Sequence, residues 1–371
     1  MKKTFWRWYL LNMMALKKVR FLYSERHKLR EIFVRERQAL NGISIKSGIP
    51  CVLLSFFLTL LFLVSPVQAE TLKKVTFLPQ WFPQAQFAGY YVAWEKGIYR
   101  KHGLDVTLLR GGPEKPVCPA LIRGEADFGT LFLAEAIQQR SRGLKLVNVG
   151  QIVQRTGFML VAKKSSGIHS TRDLQGKKVS LWDDFKVQPL AFFRKNDLTV
   201  RVIPQTYTLN LFLRGGVDVA SAMWYNEYHS ILSAGLNEDE LTTFFFDGQD
   251  LNFPEDGIYC LEETWKRDPD AVCRFVRASL EGWRYAFAHP QEALDIVMKY
   301  VNEAKINTSR THQKWMFEKI KDLIVTGNRN VPMGTLSETD YRKVAAELQE
   351  SGLIMRIPPL SEFHVDCTGK K

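Results

Sequence analysis

The sequence offers little to redox or metal chemistry. Five cysteines occur in 371 residues, and no two stand at Cys-x-x-Cys spacing. The seven histidines are scattered, without a His-x-x-x-His pair or a Cys–His pair. A phosphate-cradling glycine loop, a dinucleotide fingerprint and a Gly-x-Ser-x-Gly elbow are also missing. No pattern demands catalysis, a bound metal or a cofactor. A basic surface is lacking as well, once the charge is located. The formal charge is +12, but residues 1–69 carry 12 Lys/Arg against 3 Asp/Glu. The remaining residues carry 39 Lys/Arg against 36 Asp/Glu, which leaves no claim on nucleic acid.

The basic leader reads as a targeting segment. "CVLLSFFLTLLFLV", from Cys51 to Val64, is an uncharged apolar run after a positive region. "SPVQA" follows, with Val67 and Ala69 at the small-residue positions of a cleavage motif. A membrane anchor is the competing reading, but the run is short for a span of about 20 residues. Pro66 also interrupts its end. The mature chain is therefore expected to begin near Glu70, in a periplasmic or other extracytoplasmic space. Residues 1–46 are long for such a leader; an early start codon and a cytoplasmic extension are both open.

Beyond residue 72 the chain alternates strands and helices. "KKVTFL" (73–78) and "LDVTLL" (104–109) are short apolar strands. A helix from about Gln84 to Glu95 lies between them, with Pro83 near its first turn. Strands "ADFGTL" and "KLVNVGQIV" follow, each behind a helix that ends at a glycine. Such alternation predicts an α/β fold with parallel pairing. "LIRGEADFG" (121–129) and "LFLRGGVDVASA" (211–222) share one plan, with Asp127 and Asp218 in matching positions. Either two similar lobes exist, or helix–Gly–strand units simply recur. The polar stretch Lys163–Gly167 suggests a crossover between lobes, and the Gly/Pro/Asp cluster at 244–260 suggests the return. The expected layout is 70–162 for the first part of lobe 1, 163–250 for lobe 2, and 251–371 for the return with C-terminal helices.

In open parallel sheets ligands bind beyond the carboxyl ends of strands. The candidate ligand residues fall at such strand ends. "QWFPQAQFAGYYVAWEKGIY" (80–99) places Phe87, Tyr90, Tyr91, Trp94 and Ile98 on one helical stripe. Phe87, Tyr91 and Trp94 are expected in the core. Trp81, Gln84 and Gln86 fall in the strand-to-helix turn and, with Tyr90, can face a ligand. An indole face and two amides suit a planar heteroaromatic ring. "SAMWYNEYHSI" (221–231) supplies Trp224, Asn226 and Glu227; the glutamate can accept from an aminopyrimidine edge or merely cap a helix. Asp183 in "WDDF" and Asp256 in "FPEDGIY" are further polar candidates, though such residues also serve as turns. Of the cysteines past the leader, Cys118, Cys260, Cys273 and Cys367 leave open both disulfides and free buried thiols.

"WFPQAQFAGYYVAWEKGIYRKHGLDV", "LIRGEADFG", "SGIHSTRDLQGKKVSL", "WYNEYHSIL" and "FPEDGIY" occur in the order found in a known family. Over about residues 73–300 the chain resembles periplasmic binding proteins of ABC importers, in the branch related to thiamine-pyrimidine synthases and aliphatic-sulfonate binders. The resemblance implies a two-lobed type II clamshell, each lobe a mostly parallel sheet flanked by helices, joined by two crossovers. It implies a monomer that holds a small heteroaromatic ligand, similar to formylaminopyrimidine or hydroxymethylpyrimidine, and delivers it to an ABC permease with its ATPase. A sensor that binds the same ligand for a signalling partner is an alternative. The fold also includes a synthase that uses a lysine-bound pyridoxal phosphate and its own histidine. Here the corresponding positions hold Leu131 and Glu135, which can form neither a Schiff base nor an imidazole donor. Its cysteine-rich motif would fall near "PEDGIYCLEE", where Cys260 stands alone.

Overall fold

The computed structural model describes residues 71–325 and 331–369. The leader, its apolar run and its cleavage motif lie outside the described residues. Glu70–Lys371 is one compact unit. Its strands are β1 (Lys73–Leu78), β2 (Leu104–Leu108), β3 (Phe128–Phe132), β4 (Leu146–Gln151), β5 (Phe158–Lys163), β6 (Lys178–Leu181), β7 (Arg201–Pro204), β8 (Val219–Met223), β9 (Leu241–Phe245) and β10 (Asp256–Leu261). Its longer helices are α1 (Ala88–Glu95), α2 (Val117–Ile122), α3 (Leu133–Ser141), α4 (Val187–Lys195), α5 (Glu227–Ser233), α6 (Glu262–Arg267), α7 (Pro269–Ala288), α8 (Pro290–Glu303), α9 (Arg310–Ile324) and α10 (Glu338–Glu350). None of the described helices is long and apolar enough to cross a membrane.

The strands form two five-stranded sheets, ordered β2-β1-β3-β10-β4 and β7-β6-β8-β5-β9. Each has parallel pairs on one side and one antiparallel strand, β10 or β5, inserted next to the last. This is the α/β clamshell that the alternation and the resemblance pointed to. The order of the two sheets matches position for position, so the repeated helix–Gly–Asp plan reflects two similar lobes. Asp127 and Asp218 do the same work in each. Each Asp backbone N–H donates to a carbonyl of the first parallel strand, at Thr76 or Lys178, and each carboxylate accepts the N–H of that same residue. The two aspartates pin one strand to its neighbour; they are not ligand groups.

The chain crosses between the sheets through residues 152–157 and 246–255. β5 lies wholly in the second sheet, so the first crossing precedes Lys163–Gly167. The polar look of that stretch reflects a 3-10 turn at Lys164–Ser166 after β5. Side chains lace the two crossings together. Thr156 N–H donates to Asn252 Oδ1 at 3.0 Å, Asn252 Nδ2 to the Gln154 carbonyl at 3.1 Å, and Gly157 N–H to Glu255 Oε1 at 2.6 Å.

The helix of the aromatic stretch splits into a 3-10 turn at Ala85–Phe87 and α1. α1 crosses α7 at glycines on both sides. A Cβ on Gly282 would stand 2.3 Å from the Gly89 carbonyl oxygen, so neither helix can recede without losing the packing. Phe87 and Tyr91 are buried as expected. Trp94 is not; it is 42% exposed, and its indole N–H donates to the Val106 carbonyl at 2.8 Å. Cys273 on α7 is bonded to Cys367 in the C-terminal segment, while Cys118 and Cys260 are free and buried.

Candidate functional site

The two sheets present the carboxyl ends of β1, β3, β6 and β8 and the starts of β5 and β10 to the seam between the lobes. In the first lobe, β1 ends at Leu78 and runs through Pro79 and Gln80 to Trp81. This loop lies directly on Gly111, where a Cβ would come within 2.0 Å of the Pro79 carbonyl oxygen and 2.5 Å of that of Trp81. Only glycine lets the loop settle there, and so it fixes where the Trp81 ring stands. Gln80 N–H donates to Thr130 Oγ1 at 2.9 Å, which ties the same loop to β3.

Asp256, the first residue of β10, is the polar centre of this lobe. It is 2% exposed and accepts from Gln80 Nε2 and Gln86 Nε2, the latter at 2.6 Å. Gln84 Nε2 donates in turn to Gln86 Oε1 at 2.6 Å. Two amides donate to the carboxyl, and among the described residues no cation pairs with it. Burial therefore raises its pKa to about 7, against the pull of the two glutamines. Its neighbour Glu255 accepts from Gly157 N–H and, at 3.3 Å, from Thr156 Oγ1. Burial, with the nearby Asp256 charge, raises Glu255 to about 8. Glu135, in the first turn of α3, is raised to about 7 by burial and by the charges of Asp184 and Asp256.

Aromatic rings meet across the seam. Phe132, at the end of β3, lies 5.0 Å from Phe185 of the other lobe, centroid to centroid. Phe185 packs on Trp182, and Trp182 on Phe158. Trp81 lies 5.8 Å from Tyr207 of the second lobe. The site thus has a wall of apolar rings beside a floor of amides and carboxyls.

The predicted residues divide on this geometry. Trp81, Gln84, Gln86 and Asp256 come together in the first lobe. Tyr90 does not join them; it is 1% exposed, packed between Phe77 and Trp283 below the floor. Its place on the buried stripe wins over its nearness to the glutamines. Asp183 points outward, 78% exposed, and pairs with Lys186 at 3.0 Å. Trp224, Asn226 and Glu227 are brought together in the second lobe, but the structure binds them to protein groups. Glu227 accepts from its own turn, from Met223 N–H at 3.0 Å and Asn226 Nδ2 at 2.8 Å. Asn226 Oδ1 meets His312 Nε2 of α9 at 2.8 Å, and the Trp224 carbonyl accepts from Trp315 Nε1 at 2.9 Å. Lys319 stands 4.3 Å over the Trp224 ring. Gln80, Thr130, Phe132 and Phe185 join the site without a signal of their own in the sequence, whereas Glu255, like Asp256, stands out in "FPEDGIY" as an acid that can serve a site or a turn. Gln80 opens the aromatic stretch 80–99, so nearness to Trp81 and Gln84 was its one available signal.

The sequence model of the NMT1/THI5-like family matches residues 84–293. The riboflavin-binding protein RibY of Chloroflexus aurantiacus is 27% identical over 252 residues, 65% of this chain and 70% of its own. The 4-amino-5-hydroxymethyl-2-methylpyrimidine phosphate synthase of Legionella pneumophila is 23% identical, over 60% of this chain and 72% of its own. Among solved structures, the periplasmic aliphatic sulphonate binding protein SsuA of Escherichia coli superposes with a TM-score of 0.61 at 15% identity. That match covers 78% of this chain and 91% of its own, and it speaks to the fold alone.

Proposed function

Because the chain belongs to the NMT1/THI5-like family, we propose that it is an extracytoplasmic solute-binding protein that holds a flat nitrogen heterocycle between its lobes. The ligand is of the thiamine-pyrimidine-precursor class, akin to formylaminopyrimidine or hydroxymethylpyrimidine, and an ABC permease with its ATPase receives it. One observation carries this reading: the Asp256–Gln80–Gln86–Gln84 network borders the ring wall at the strand ends. Amides and a carboxyl match the alternating donors and acceptors of an aminopyrimidine edge, and the rings supply the apolar faces. Trp81, Gln84, Gln86 and Asp256 act from the first lobe. Trp224, Asn226 and Glu227 complete the site from the second, where they anchor the closed seam. The cystine Cys273–Cys367 fits an oxidising compartment outside the cytoplasm.

Arginine is missing from this network, which disfavours a sulfonate headgroup despite the shared fold. A thermal-shift screen of aminopyrimidines, riboflavin and alkanesulfonates tests the proposal, with calorimetry on each hit. Stabilisation by heteroaromatic rings is expected. Stabilisation by a sulfonate with none by any ring would overturn it.

The synthase relative motivates a second reading, as an enzyme. Leu131 and Glu135 weigh against it, because neither carries the amine or imidazole that the resemblance expects at those positions. Leu131 is buried in β3, opposite Gly257 of β10. Purified protein mixed with pyridoxal phosphate is expected to yield no borohydride-trapped adduct. A trapped adduct would favour the enzyme.

A further inference from the structure

Two histidines meet between the lobes. His229 stands on α5 of the second lobe and His312 on α9. α9 is tied to the first lobe, because Gln313 accepts the Ala85 N–H and the Leu323 carbonyl accepts those of Gln154 and Arg155 at the first crossing. The two Nδ1 atoms lie 3.0 Å apart. The neighbours fix where each hydrogen sits. Glu227 Oε1 accepts from Asn226 Nδ2 at 2.8 Å, so the Asn226 amide oxygen faces His312. That oxygen lies 2.8 Å from His312 Nε2 and can only accept, so Nε2 carries the hydrogen of the neutral ring. His312 Nδ1 is then a bare lone pair, and His229 Nδ1 must donate to it. Ser233 Oγ, 3.4 Å from His229 Nδ1, is a second and weaker acceptor. One directed chain of hydrogen bonds therefore runs from His229 to His312, Asn226 and Glu227, out of the second lobe and back into it.

Among the described residues no carboxylate or cation pairs with either ring. Glu227 reaches the pair only through Asn226. On α9, Lys319 lies over the Trp224 and Trp315 rings, while Arg310 and Lys314 pair with Asp295 of α8 and with Glu318. On the second lobe, Tyr228 packs near Trp315, and the charge of Glu238 falls on Tyr228. The 3-10 turn Ala85–Phe87, also packed on α9, has no ionisable side chain. A first added proton can enter at His229 Nε2 and leave the contact whole. A second has only His312 Nδ1 to occupy, the atom that accepts the bond. It would set two N–H groups head to head and two charged rings 4.9 Å apart, centroid to centroid. We infer that His229 and His312 are a proton-operated latch, which holds the lobes together while neutral or singly charged and releases them when both rings are charged. Burial lowers His229 below the usual histidine value, and burial with the charge of His229 lowers His312 to about 4. Once the lobes part, both rings return towards about 6.5. The open form then binds more protons than the closed one, so the latch weakens as pH falls from about 6.5 to about 4. Asp256 and Glu135, raised to about 7, and Glu255, raised to about 8, take up their protons above this interval and favour the folded chain. Acid thus opens the cleft without unfolding the lobes. Release of a bound solute in acid follows if the solute-binding reading holds; the latch itself does not depend on that reading.

Fluorophores on Ile122→Cys of the first lobe and Leu211→Cys of the second, both exposed positions, report the distance between lobes by energy transfer. In the purified, ligand-free chain, transfer should be highest near pH 7.5 and fall between about pH 6.5 and pH 4, with circular dichroism unchanged. His312→Gln keeps a donor for Asn226 and an acceptor for His229 but takes up no proton, and it should stay closed throughout. His312→Lys has donors alone and carries a charge at every pH tested, so it should be open already near pH 7.5. A pH response that persists in His312→Gln, or a parent chain whose transfer does not change with pH, overturns the inference. Should His312→Lys fail to fold, the parent chain and His312→Gln still decide between these outcomes. In calorimetry near pH 7.5, 4-amino-2-methylpyrimidine should bind His312→Lys about tenfold more weakly than the parent, the scale of one lost hydrogen bond. If the parent chain binds no ring, the solute-binding reading falls, and energy transfer still decides the latch.

Discussion

Asp256 and Glu255 are adjacent, buried and hydrogen-bonded to uncharged donors, and this makes the fold sensitive to pH in a definite direction. A carboxyl is ordinarily half-ionised near about pH 4. In the folded chain Asp256 and Glu135 are raised to about 7, and Glu255 to about 8. The folded state thus holds these protons more tightly than the unfolded state does. The stabilisation is complete below the unfolded value and is lost as pH rises through the folded ones. Melting temperature of the ligand-free protein should therefore fall between pH 5 and pH 8. Asp256→Asn should shrink that slope, since one titrating group is gone while an oxygen still accepts from one glutamine. A melting temperature that is flat or rising over this interval would contradict the assignment of these protons.

At the scale of elements, α9 joins two halves of the site. Its Gln313 Oε1 accepts the Ala85 N–H at 2.7 Å, at the start of the turn that carries Gln84 and Gln86. Two residues on, Trp315 holds the Trp224 carbonyl of the other lobe. Gln313→Ala leaves a buried N–H unpaired, which should cost about 1–3 kcal/mol in urea unfolding. It should also weaken ligand affinity, although Gln313 belongs to neither the wall nor the floor. Unchanged affinity would mean that the turn keeps its shape unaided. None of this was legible in "THQKWMFEKIKDLIV", which reads as an amphipathic helix and nothing more. The elements themselves were legible: β1 matches its predicted span and β2 falls one residue short of its own, because short apolar runs bounded by Gly, Pro and polar residues have few other folds. The site was legible only in part. Gln80 and Asp256 are 176 residues apart, and a loop has no period to show which side chain turns inward. The same limit applies to Asp183, whose side chain turns outward to Lys186.

For the whole molecule, the cystine between Cys273 and Cys367 closes a segment with a sequence separation of 94. It fastens the C-terminal segment to α7, the helix on which α1 is packed. Reduction, or Cys367→Ser, should lower stability by about 2–4 kcal/mol, measured by chemical denaturation with and without reductant. No change on reduction would place the C-terminal segment outside the cooperative unit.

The strand order carries a further consequence, one of timing. The second sheet comes from a single uninterrupted stretch, β5 to β9, so nothing prevents it from assembling once residue 245 has been made. The first sheet has a gap between β3 and β4 until β10 arrives from more than a hundred residues downstream. Asp256 and Glu255 travel with that late strand. The lobe that starts first in the chain must therefore finish last, and the floor of the site is completed by the segment that closes it. In pulse-labelled hydrogen exchange during refolding, amides of β6 and β8 should gain protection before those of β3 and β4. The reverse order would show that the first sheet forms around an empty slot.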